Sequence, residues 1–140
     1  NSDEEKKLLK GMVNILMIGH DSVSFDRTKK SRNMKIYTRS QSRSGFLADF
    51  QLAKKLQHGG GQANKQVKFS VSPLGFAGGD QGPFWDESIP AVVFSQDWEN
   101  DLNPRNHTES DIVEALNFPV FYASFQYILG SILAWNYNLL

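Results

Sequence analysis

Apolar positions along this chain fall into short runs divided by polar and glycine-rich stretches, and their spacing changes from one run to the next. Met12 to Ile18 is an apolar run bounded by Gly11 and Gly19, a pattern that predicts a strand buried on both faces of a sheet covered by helices. From His20 to Asn33 the chain is polar and basic without a sustained period, as in a loop or weak hairpin. Met34 to Thr38 then resumes a strand. Phe46, Leu47, Phe50, Ala53 and Leu56 share one face of a predicted helix that Ser44 caps and that runs to Gln57, where Gly59-Gly60-Gly61 ends it.

Val67, Phe69 and Val71 alternate with polar residues, the period of a half-exposed strand. After the glycine-rich loop from Ser72 to Gly82, Pro83 opens a short helix through Ser88. Ile89 to Phe94 comes next as a near-continuous apolar strand and, like Met12 to Ile18, is too apolar for an exposed edge. Thr108 or Ser110 caps a short helix to about Leu116, and Pro119 suits the first turn of a long last helix carrying Phe121, Phe125, Ile128, Leu129, Ile132 and Leu133. Val120 to Leu140 is near membrane-spanning length, but Ser124, Gln126, Asn136 and Asn138 interrupt it, which predicts a buried amphipathic helix. Strands alternating with helices predict an α/β fold, a layered sheet flanked by helices.

At 140 residues and 40% hydrophobic the chain fits a single domain over positions 1–140. Fifteen basic and fifteen acidic residues cancel, so no whole-chain field favours nucleic acid or an anionic membrane, and neither is an expected partner. The chain has no cysteine. That excludes disulfides and thiolate metal sites and leaves His, Asp and Glu as the strong ligands. No signal peptide is visible in the charged start Asn1-Ser2-Asp3-Glu4-Glu5-Lys6-Lys7, and the compartment stays open.

The chemistry concentrates between Gly79 and Asp111. Gly79-Asp80-Gln81-Gly82-Pro83-Phe84-Trp85, then Ile89-Pro90, then Asn106-His107-Thr108-Glu109-Ser110-Asp111 place an acid, a buried strand and a loop histidine in the order of a metallohydrolase site. Other readings of single residues stay beside this one. His20-Asp21 after the first strand is a polar turn or a substitute ligand pair, with Asp97 as a further substitute. His58 reads as a helix C-terminal cation. Trp85 suits core packing, and Trp98 suits the wall of a substrate pocket. Lys29, Lys30, Arg32, Lys35, Arg39 and Arg43 read as a solvated basic face. Asn106-His107-Thr108 is also a glycosylation sequon, read as coincidental because a glycan there would obstruct the histidine.

Together with Asn14 and Met17-Ile18-Gly19, these residues resemble the C-terminal half of the zinc aminopeptidase and glutaminyl cyclase-like metallopeptidase family, from about Met12 onward. The resemblance implies a mixed sheet flanked by helices, zinc exopeptidase-like and incomplete on its N-terminal side. It implies a zinc-dependent aminopeptidase-like protein that releases N-terminal residues from peptides when complete, and a secreted or periplasmic location. His107 stands at the position of the family's last zinc-ligating histidine, with Thr108 and Asp111 shaping the helix after it. Asp80 stands at that of a carboxylate that orients ligands without touching the metal. The family's Asn-x-Asp-Met-Ile-Gly strand supplies a further ligand through its aspartate, where this chain reads Asn14-Ile15-Leu16-Met17-Ile18-Gly19; Gln81 likewise replaces a usual histidine. A catalytic zinc takes three protein ligands and an open position, so this chain is expected to carry only part of the site, with zinc binding weak in isolation. The alternative is a non-catalytic α/β relative serving binding or assembly. A peptide substrate, an N-terminal companion segment and self-association are the expected partners.

Overall fold

A computed structural model describes residues 2–21, 31–75 and 78–139. The elements run α1 (Ser2–Leu8), β1 (Met12–Ile15), β2 (Ser31–Tyr37), α2 (Phe46–Ala63), β3 (Val67–Ser72), α3 (Gln81–Asp86), β4 (Ala91–Gln96), a 3-10 turn (Val113–Ala115) and α4 (Phe118–Asn136). One sheet in the order β1-β4-β2-β3 forms the middle layer. It is mixed: β1 runs parallel to β4, β3 parallel to β2, and β2 antiparallel to β4. The predicted α/β layered architecture is therefore present.

Register sorts the strands' side chains between two faces. Ile36 lies opposite Phe94 and Met34 opposite Phe69, while Val13 lies opposite Val92. These residues join Leu52, Leu56, Val120, Tyr127 and Ile128 in one apolar cluster, so α2 and α4 cover the same face. The other face holds Asn14, whose Nδ2 donates to Gln81 Oε1 of α3 at 3.1 Å. Trp85 of α3 is buried there, as core packing predicts, and its indole N–H donates to Ala91 O at 3.0 Å.

Several expectations fail for identifiable reasons. Met12 to Ile18 shrinks to a strand ending at Ile15, and it is an edge strand with Ile15 46% exposed. Apolar content alone did not reveal that, among the described strands, only β4 flanks it. Ser44 does not cap α2; Gly45 does, in a left-handed conformation with φ 88° that a side chain would strain. Nor do the three glycines end that helix, which continues to Ala63. Gly59 and Gly60 are buried against Ala134, Tyr127 and Ser131 of α4, so they serve helix packing and not termination. For the same reason His58 lies inside the helix, exposed, and is not a terminal cation. The short helix expected from Thr108 or Ser110 is only the 3-10 turn, preceded by Ile112.

The face of α4 is also rotated from the expected one. Val120, Ala123, Ser124, Tyr127, Ile128 and Ser131 are buried, whereas Phe121, Phe125, Leu129 and Leu133 are exposed. Small residues let α4 approach the glycines of α2 closely, and that contact outweighs the burial of the larger side chains. Asn117 caps this helix by accepting from Val120 N at 3.3 Å, with proline in its first turn as predicted. The N-terminal α1 had no apolar period to announce it. Its acidic first turn and basic last turn suit the helix dipole, and Lys6 pairs with Glu87.

Candidate functional site

Parallel strands β1 and β4 end side by side, because Ile15 pairs with Phe94. Backbone bonds carry the pairing one step further: Leu16 N donates to Phe94 O at 2.9 Å and Gln96 N to Met17 O at 3.2 Å. Beyond them the chain leaves the sheet in two loops. A cavity of about 130 Å³ opens between those loops, its wall including Met17, His20, Gln96, Asn106, Asp111 and Leu116. Strand ends in open α/β sheets commonly hold ligands in this way.

Gln96 is fully buried in that wall, and among the described residues neither its amide nitrogen nor its amide oxygen has a hydrogen-bond partner. Nothing in the apolar run preceding it announced this residue. A buried unsatisfied polar group costs about 1–3 kcal/mol. Replacing it with an unbranched apolar side chain, Gln96→Met, is expected to raise the unfolding free energy by about 1 kcal/mol in urea denaturation. A loss of stability in that variant would show that the amide is satisfied in solution.

The loop after β4 is held by Asp97. Its Oδ1 accepts from Glu99 N at 3.1 Å and Asn100 N at 3.2 Å, and its Oδ2 stands 3.3 Å from Lys35 Nζ. Burial pushes this carboxyl upward, but the hydrogen bonds from the Asn100 side chain and the two backbone N–H groups, with the Lys35 charge, outweigh it and leave the pKa lowered. Nearby, Tyr37 Oη donates to Gln96 O at 3.2 Å and accepts from Trp98 N at 2.9 Å. Burial raises the Tyr37 phenol to about 12 despite the Trp98 bond, and the Asp97 and Glu99 charges add to the rise. Trp98 itself is half-buried, with its indole N–H donating to Ser95 Oγ at 2.7 Å.

Neither Asp80 nor His107, the residues expected to share a site, lines the cavity. Asp80 is exposed at the start of α3, where its carboxylate makes no capping bond. Its neighbour Gln81 is the buried partner of Asn14 on β1. His107 is exposed with a left-handed backbone, φ 62°, directly after Asn106 of the cavity wall. Of the substitute ligands, His20 lines the cavity with its Nε2 3.2 Å from Asp101 Oδ1. Asp21 is buried, and its backbone carbonyl accepts from Asn117 Nδ2 at 3.4 Å. Among the described residues no three His, Cys, Asp or Glu side chains are grouped to hold a metal ion.

No protein-family description and no curated protein matches this chain. Solved structures do. The Legionella pneumophila LapA aminopeptidase matches with a TM-score of 0.60 and 21% identity over 95% of this chain. A second Legionella LapA structure matches at TM-score 0.60 and 24% identity over 93%. The fold is aminopeptidase-like. The chain spans 33% of the length of each of these neighbours.

Proposed function

We propose that this chain carries part of the site of a zinc-dependent aminopeptidase-like protein. The supporting observation is that nearly the whole chain follows the LapA fold, with the cavity at the ends of β1 and β4. In this reading His107 offers an imidazole to the metal, Asp80 orients it, and Trp98 borders the peptide substrate. A catalytic zinc needs three protein ligands, and the described residues do not fit that requirement on their own, since no such group of donors exists among them. Release of N-terminal residues from peptides therefore belongs to a more complete site.

The isolated chain is expected to release nothing from amino-acid p-nitroanilides with added zinc, and to bind zinc weakly. One imidazole cannot fix a tetrahedral geometry. Stoichiometric, submicromolar zinc binding by calorimetry would overturn this partial-site reading and direct attention to His20, Asp21 and Asp97. Leu16 favours a second reading, a non-catalytic relative that keeps the scaffold for binding or assembly, because leucine offers no donor. Leu16→Asp separates the two. A gain of at least tenfold in zinc affinity that His107→Ala abolishes supports a metal-site geometry, and an unchanged affinity supports the scaffold.

Self-association belongs to the same proposal. Phe118, Tyr122, Phe125, Leu129 and Leu133 form an exposed apolar stripe along α4, and such stripes commonly mark association surfaces. We expect a second copy to cover it when the chain is alone, so that light scattering reports a mass rising with concentration and Phe125→Glu lowers it. A monodisperse monomer throughout would leave the stripe without a self-partner.

A further inference from the structure

A second concave site lies away from the cavity at the strand ends and shares no wall residue with it. It is a groove of about 390 Å³ between α2, the turn after it, the start of β3 and Tyr127 of α4, within the size range of small-molecule sites. Lys54, Lys65 and Lys68 line it, and no acidic side chain does. The imbalance extends to the surrounding elements. No acid occurs between Asp49 and Asp80, Asp49 is already paired with Arg39 inside the protein, and α4 carries no charged residue from Phe118 to Asn136. Whole-chain neutrality thus conceals a local excess of positive charge. A concave low-dielectric wall focuses such a field, which opposes the partial negative charge at the C-terminus of α2.

Hydrogen bonds hold Lys54 and the turn that carries Lys65 on a fixed frame. Lys54 Nζ donates to Gln57 Oε1 at 2.7 Å, and Gln57 Nε2 donates to Phe69 O at 2.7 Å, tying that lysine to β3. Tyr127 Oη donates to Gln57 O at 2.8 Å. The turn that presents Lys65 is fixed by Asn64, whose Oδ1 accepts from Gln66 N at 2.8 Å and Val67 N at 3.2 Å, and whose Nδ2 donates to Gln126 Oε1 at 2.9 Å. At Gly61 an added Cβ would meet nothing within 4 Å, so this part of the wall is open.

We propose that this groove binds a small molecule bearing at least two negative charges on phosphate groups. Lysines act as point-charge partners for phosphate oxygens, and two of them, Lys54 and Lys65, at one groove with no acid suit a diphosphate better than a monoanion. The inference is independent of the peptidase reading, since it uses neither a metal nor the strand-end cavity.

The test is calorimetric titration of the full chain, without metal, with inorganic pyrophosphate, orthophosphate and acetate. Pyrophosphate is expected to bind at a stoichiometry of one, more tightly than orthophosphate, and to weaken as salt rises. Lys54→Ala and Lys65→Ala are each expected to lower its affinity at least threefold, with helix content by circular dichroism unchanged. Lys10→Ala, an exposed lysine outside the groove, is the control and should change nothing. Equal affinity for acetate, groove variants that behave like the Lys10 control, or no measurable pyrophosphate binding would overturn the proposal and leave an adventitious ion only.

Discussion

Asp49→Ala is expected to lower stability by about 3–5 kcal/mol, the usual consequence of leaving one member of a buried ion pair alone. Arg39 and Asp49 are 1% and 0% exposed. Arg39 Nε and Nη2 each donate to one carboxylate oxygen at 2.7 Å, and that carboxylate also accepts from Arg39 N at 3.1 Å and Ala91 N at 3.0 Å. The guanidinium continues outward to Trp85 O at 3.2 Å and Ile89 O at 3.4 Å. One pair thereby fastens the residues after β2, the first turn of α2, the end of α3 and the start of β4. Gly45 makes room for it, because a Cβ there would come within 2.4 Å of Arg39 Cζ.

Removing the carboxylate strands a guanidinium that cannot be neutralised in a protein. With total stabilities of about 5–15 kcal/mol typical of a domain, the melting temperature should fall by roughly 10–20 °C. Asp49→Leu combined with Arg39→Met should recover much of the loss, since two apolar side chains leave no buried charge behind. Thermal melts followed by circular dichroism decide the matter. An Asp49→Ala protein melting within a few degrees of the parent would mean that water reaches the pair, and its structural role would be refuted.

That pair also shows where sequence reading stops. Arg39 belongs to a run of basic residues that reads as a solvated face, and nothing local distinguishes it from Arg43, which is exposed. What buries Arg39 is a carboxylate ten positions away on another element and two carbonyls near position 87, contacts that only the tertiary structure brings together. By contrast, the strands near Ile89 to Phe94 and Val67 to Val71 and the helix after Asn117 were legible as elements from apolar content, alternation and the Pro119 first turn, although the buried face of that helix was not. The alternation of elements was enough for the layered α/β class but not for strand order, so β1 was misread as interior. Among the candidate residues, Asp80 and His107 stood out through their motif, whereas Gln96, in the cavity wall, did not. Its significance is an unpaired amide at a strand end, a property of surroundings that the residues on either side do not encode.

Gly60→Ala and Gly61→Ala should change stability in opposite directions although the two positions adjoin in one helix. In a helix interior, alanine is favoured over glycine by about 1 kcal/mol. At Gly61 that gain is unopposed, since a Cβ there meets nothing within 4 Å. At Gly60 the same methyl would come within 2.1 Å of Tyr127 Cε1 and 2.5 Å of Ser131 Oγ. Tyr127 has little freedom to yield: it is 2% exposed, its ring centroid lies 4.8 Å from that of Phe69, and its hydroxyl donates to Gln57 O at 2.8 Å. Relief would require α2 and α4 to separate, and Gly130, where a Cβ would approach Ala63 Cβ to 2.1 Å, shows how close they are. Overpacking costs about 1–3 kcal/mol in well-packed interiors, more than the helical gain, and the lost Tyr127 bond adds to it. Urea denaturation is therefore expected to show Gly61→Ala more stable than the parent and Gly60→Ala less stable. Equal stabilisation by both would place α4 farther from α2 and remove the packing role of Gly60.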